Sequence, residues 1–99
     1  MMMNSLALLV TLKAKEGKED EARKLLEHAA SLASEDDSTV TWYALQFDAN
    51  TFGIFDTFAD EESRDNNMSG DALNKIKERA DELFEDEPNI QKAAILATK

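Results

Sequence analysis

The sequence contains no cysteine, which removes disulfides, thiol catalysis and thiolate metal sites together and permits a reducing, cytoplasmic setting. One histidine cannot build an imidazole cluster. No Gly-rich phosphate loop is present among only three glycines, so nothing marks a nucleotide or dinucleotide site. Basic residues are scarce: eleven Lys and Arg face twenty-one Asp and Glu, a formal charge of −10. That balance repels phosphate backbones and anionic lipid, and argues against nucleic acid and membrane partners. Long apolar runs are also missing. The longest near the start, Leu6 to Val10, falls far short of a signal-peptide core or a membrane span. Met1 to Met3 read as a start-codon artefact or a frayed end.

What remains is ordinary for a globular chain: 42% hydrophobic and 32% charged over 99 residues, one domain (1–99) with one core. Leu6 to Lys13 alternates as a strand, with Leu6, Leu8, Val10 and Leu12 on one side and Ala7, Leu9 and Thr11 on the other. Gly17 breaks it. From Glu19 to Ala33, Ala22, Leu25, Leu26, Ala29, Leu32 and Ala33 recur at helical spacing. Acids Glu19, Asp20 and Glu21 crowd the first turn, where the helix dipole favours them. Thr39 to Phe47 and Phe52 to Phe58 are β-branched and aromatic, joined by the polar turn formers from Asp48 to Thr51, and read as a hairpin. Asp60 suits an N-cap for a short helix ended by Gly70. A second helical stretch runs from Asp71 to the Glu85–Pro88 break, and Ile90 to Thr98 reads as a last strand.

The order β-α-β-β-α-β is the ferredoxin-like split βαβ arrangement, an α+β fold with a four-stranded antiparallel sheet and both helices on one face. The uncovered face would carry Leu9, Phe55, Tyr43, Leu45 and Phe47. Leaving it in water forfeits roughly 25 cal/mol per Å² of apolar surface, so a homodimer through the sheets is expected.

Thr41-Trp-Tyr-Ala-Leu45, Thr51-Phe-Gly-Ile-Phe-Asp-Thr-Phe58 and the segment from Ala59 to Gly70 resemble the antibiotic biosynthesis monooxygenase family of dimeric α+β barrels. The likeness extends to the opening strand with its Ala-Lys-Glu-Gly-Lys18 and to Ile90–Lys99. It implies oxygenation of a quinol or polycyclic phenol by molecular oxygen, with no metal, haem or flavin cofactor. The substrate anion supplies the electrons; the protein supplies a dry pocket, a proton acceptor and donors for the developing oxyanion.

Asp56, in phase with Ile54 and Phe58, is an acid amid apolar neighbours, and with Phe58 it matches an acid–aromatic pair common in that family. Desolvation should raise its pKa and suit it to proton acceptance. A purely structural acid, bonded to Arg64, Tyr43 or a backbone amide, is the alternative. Asn67 stands where many members have a histidine. Asparagine can hold a substrate oxygen but cannot serve as the base or as a haem ligand; it also suits a solvated or capping position. Trp42 and Tyr43 point to opposite faces, so at most one lines the space beneath the helices. Trp42, Phe58 and Met68 are the candidate cavity walls, with Leu73, Ile76 and Phe84 as further flanking residues. His28 reads as helix surface, and the acidic runs as solvated surface rather than a cation site. A non-catalytic dimeric module binding a small apolar ligand or another protein is the rival to the enzyme.

Overall fold

Alternating apolar residues at the centre of the chain's first strand organise the molecule. In the computed structural model, which describes residues 6–68 and 70–99, β1 (Leu6–Lys13) lies between β3 (Thr51–Phe58) and β4 (Asn89–Ala94), and β2 (Thr41–Gln46) pairs with the outer side of β3. The sheet order is β2-β3-β1-β4 and every pairing is antiparallel. Helices α1 (Glu19–Ala33), α2 (Glu61–Met68), α3 (Asp71–Glu78) and α4 (Ala80–Leu83) complete the chain. No helix among the described residues is long and apolar enough to cross a membrane. Met1 to Met3 lie outside the described residues.

Cross-strand partners share a face, so the register sorts the sheet into two surfaces. Val10, Leu12, Phe52 and Ile54 meet Leu25, Leu26 and Ala29 of α1 and Ile76 of α3 in one continuous core. The opposite face carries Ala7, Leu9, Thr11, Thr51, Gly53, Phe55, Thr57, Thr41, Tyr43, Leu45, Asn89, Gln91 and Ala93. Lys13, at the end of β1, is its only charged strand residue. Small Ala7 and Thr57 are buried there, and the Thr41 and Thr57 hydroxyls share a 2.6 Å hydrogen bond. Tyr43 is 53% exposed, however, and Phe47, just past β2, is 59% exposed. The Phe47 ring lies over Gly53: a Cβ built there would stand 2.8 Å from Phe47 Cε2. Gly53 thus leaves the space an aromatic covers.

Several boundaries follow the sequence pattern directly. Gly17 takes φ +86° in the turn between β1 and α1, a conformation open to a residue without a Cβ. Asp60 Oδ1 accepts the Ser63 backbone N–H at 2.8 Å, the hydrogen bond of an N-cap. The stretch after Asp71 differs from expectation: it breaks into α3 and α4 at Arg79, which leaves helical geometry at φ −108°, ψ 8°. The break frees the Arg79 guanidinium to reach Glu82 at 2.8 Å and Glu21 at 3.3 Å, while Ala80 and Leu83 turn inward. The last strand is shorter than expected. Its pairing with β1 ends at Leu6↔Ala94, and Leu96 beyond it is 97% exposed; alanines and Lys92 offer little cross-strand packing to extend it.

Leu26, 1% exposed at the centre of the α1 interface, should lose about 2–5 kcal/mol on change to Ala. His28→Ala on the exposed side of the same helix should stay within about 0.5 kcal/mol of the parent. Urea unfolding of the two variants checks both.

Candidate functional site

The alternation that builds β3 carries an acid into the helix-covered face. Asp56 follows Ile54 and precedes Phe58 in phase, and its cross-strand partners are Leu8 on β1 and Trp42 on β2. It is 2% exposed, and Oδ1 has no hydrogen-bond partner. Burial pushes its pKa from the ordinary 3.8 up to about 7; its own backbone amide opposes the rise and the negative charge of Asp36 adds to it.

The two side-chain partners considered from the sequence are accounted for otherwise. Tyr43 points to the open face, opposite Asp56. Arg64, on α2, is buried, but its Nη1 donates to the Ala93 carbonyl at 3.5 Å and its Nε is unpartnered. Among the described residues no ion pair joins Arg64 to Asp56.

A small cavity of about 10 Å³ lies against Asp56, lined by Leu8, Val10, Trp42, Ile54, Asn67, Leu73 and Ile76. That is room for about one water molecule. The structure therefore brings Asp56, Asn67 and Trp42 together, with Leu73 and Ile76 beside them. Asn67 is buried rather than solvated, because α2 turns it under the sheet face; its Nδ2 donates to Thr39 Oγ1 at 2.9 Å, and its backbone carbonyl accepts from Gly70 N–H at 3.0 Å. Phe58 and Met68 stand outside the lining. Phe58 is fully buried next to Leu6 in register, and Met68 ends α2 half-buried. Phe84 belongs to the core near Ala14, with which it forms a bridge. Thr39 was not anticipated as part of this neighbourhood. It precedes β2 in a polar loop, and only the packing of α2 against that loop reveals its link to Asn67. Among the described residues no group of three or more His, Asp or Glu side chains is arranged to hold a metal ion.

The chain superposes on a protein of unknown function from Nitrosomonas europaea with a TM-score of 0.95 and 39% sequence identity, covering 100% of this chain and 96% of the other. The chain belongs to the family of that protein. It has the fold of a candidate antibiotic biosynthesis monooxygenase from Caulobacter crescentus CB15 (TM-score 0.80, 11% identity, 97% and 93% coverage). A second such protein, from Chloroflexus aurantiacus J-10-fl, gives TM-score 0.74, 14% identity and 96% coverage of both chains. The resemblance to that family of dimeric α+β barrels, read from the sequence, is borne out at the level of fold. No protein-family model matches the sequence, and no curated protein matches it.

The raised pKa of Asp56 has a consequence for stability. The folded state holds its proton more tightly than the unfolded chain, whose value is near 3.8. Below pH 3.8 both states are protonated and burial carries no charge penalty. Stability then falls as pH rises from about 4 and levels off above about 7, at about 1.4 kcal/mol for each unit of separation. Asp56→Asn, which stays neutral, should lack this decline. Urea midpoints at pH 5 and pH 8 should diverge between the two proteins by the equivalent of a few kcal/mol; parallel profiles would contradict the assignment.

Proposed function

We propose that the protein is a cofactor-independent monooxygenase acting on a quinol or polycyclic phenol, with Asp56 as the proton acceptor. The carrying observation is the buried carboxyl with an unpartnered oxygen and a pKa of about 7. A base of that pKa is part ionised at neutral pH and matched to taking a proton from a phenol. Loss of the hydroxyl proton to Asp56 makes the ring electron-rich. One electron passes to molecular oxygen, the resulting superoxide and phenoxyl radical combine at ring carbon, and the peroxide loses water to leave a carbonyl. The substrate C–H and O–H hydrogens leave in that water, so phenol plus O₂ gives quinone plus H₂O, and the substrate is the only reductant. Asn67 Nδ2 would hold the substrate oxygen, exchanging its bond to Thr39, and Trp42 would form an apolar wall. Phe58 and Met68 would act behind that wall, by packing.

The open sheet face supports assembly as a homodimer. In a chain with 32% charged residues, that face keeps its only strand charge at Lys13 on the edge and exposes Tyr43 and Phe47. Two copies placed face to face would cover both aromatics without bringing acids together.

The second reading, a non-catalytic module of the same fold, is favoured by one observation: the cavity of about 10 Å³ is far below the ~300 Å³ of a small-ligand pocket. Catalysis therefore requires side chains to give way.

Oxygen uptake with a panel of hydroquinones separates the two. Asp56→Asn should lower turnover by about 10²-fold or more; absence of turnover on every quinol would favour the binding module. Separately, sedimentation should give twice the 11.1 kDa chain mass, and Phe47→Lys should shift it to the single-chain mass with the fold retained.

A further inference from the structure

The two edges of the sheet are finished differently. β4 carries Lys92, and Pro88 immediately precedes it; a charge and a proline are what keep a free edge from accepting another strand. β2, the other edge, reads Thr-Trp-Tyr-Ala-Leu-Gln and has neither. Among the described residues its only strand neighbour is β3. The outer side of β2 is therefore an open template for strand addition.

A strand without a neighbour is present in the same chain. The β pattern of the sequence runs to Thr98, whereas pairing stops at Leu6↔Ala94, where β1 begins. Ile95 to Thr98 is left as an uncharged, β-capable stretch with no strand beside it among the described residues. Its Leu96 is 97% exposed. The chain's own β2 is out of reach. It lies three strand spacings from β4, about 14 Å, and Leu96 is two residues past Ala94, about 7 Å of chain. A second copy offers the same open β2.

The side chains fit this pairing. Trp42 and Ala44 lie on the helix-covered face of β2, opposite Asp56 and Ile54. Ala44 is exposed although Ile54 beside it is 2% exposed, so the helices leave a gap there that a single methyl does not fill. Trp42, a wall of the Asp56 cavity, is correspondingly only half-buried. On the other face of β2, Tyr43 and Leu45 leave less room for a leucine.

We infer that Ile95–Thr98 of each copy pairs with β2 of the other as a fifth strand, and that the partner's Leu96 covers Ala44 and the outer side of Trp42. Two-fold symmetry makes the exchange reciprocal, so each Asp56 cavity has its edge-strand wall backed by the other chain. The inference rests on the reading of the protein as a homodimer, and its test separates the two. The chain has no cysteine, so introduced thiols report their own neighbours. Leu96→Cys combined with Ala44→Cys, treated with a short bifunctional maleimide, should give a denatured band at twice the 11.1 kDa chain mass. Leu96→Cys combined with Glu27→Cys, on the exposed side of α1, should not, and neither should Ala44→Cys alone. Leu96→Asp should weaken the dimer at least tenfold and shift the emission of Trp42, the only tryptophan, to the red; circular dichroism confirms that each variant is folded. A parent that sediments as a dimer while the Leu96–Ala44 pair stays unlinked, or links within one chain, would overturn the exchange and leave the dimer standing. Equal linking of the Glu27 control, linking of Ala44→Cys alone, or emission indifferent to Leu96→Asp would also overturn it. A parent of single-chain mass would overturn both readings.

Discussion

A carboxyl group enclosed by hydrocarbon and denied a counter-ion cannot behave as an ordinary aspartate, and that constraint shapes the whole helix-covered side of the sheet. Asp56 occupies a position that strand alternation assigns to the core, between Ile54 and Phe58 in phase and between Leu8 and Trp42 across the sheet. The burial that would elsewhere favour an apolar residue here holds its proton to about pH 7. The chain has eleven Lys and Arg, and the one buried near the sheet, Arg64, is turned toward β4. Stabilising the fold alone would be better served by a hydrophobic side chain at this point. A buried polar group left unpaired is the kind of local conflict that functional sites tolerate.

Charge is distributed with matching economy. Acids gather at helix starts and loops: Glu19–Glu21 in the first turn of α1, Glu61 and Glu62 in that of α2. The open sheet face holds almost none. An acidic surface surrounds an uncharged aromatic patch, an arrangement suited to the face-to-face pairing proposed above. The same acidity bears on Asp56, since Asp36 reinforces its hold on a proton.

Much of this was legible in the alternation of side chains. Strand β1 and helix α1 have the limits their periodicity marks, and the phase of Asp56 with Ile54 was enough to turn it inward. Trp42 and Tyr43 divide between the two faces because successive strand residues must. Packing decided the rest. Nothing in the run Asn66-Asn67-Met68 says that α2 would bury the middle residue and leave Met68 off the cavity. The interruption at Arg79 accompanies contacts with Glu82 and Glu21, the latter 58 residues away in sequence, a pairing that local periodicity does not show. Phe58 satisfies every requirement of a cavity wall except position, since it lies one register step beyond Asp56, under Leu6. Cavity size follows from how Leu73 and Ile76 close over the sheet, which periodicity does not encode.

The most direct measurement is the titration of the Asp56 carboxyl carbon by NMR, assigned by its loss in Asp56→Asn. An inflection near pH 7 is expected, well separated from the surface carboxylates. An inflection at about 4, the ordinary range for aspartate, would contradict an enclosed, unpaired proton acceptor at the centre of this fold.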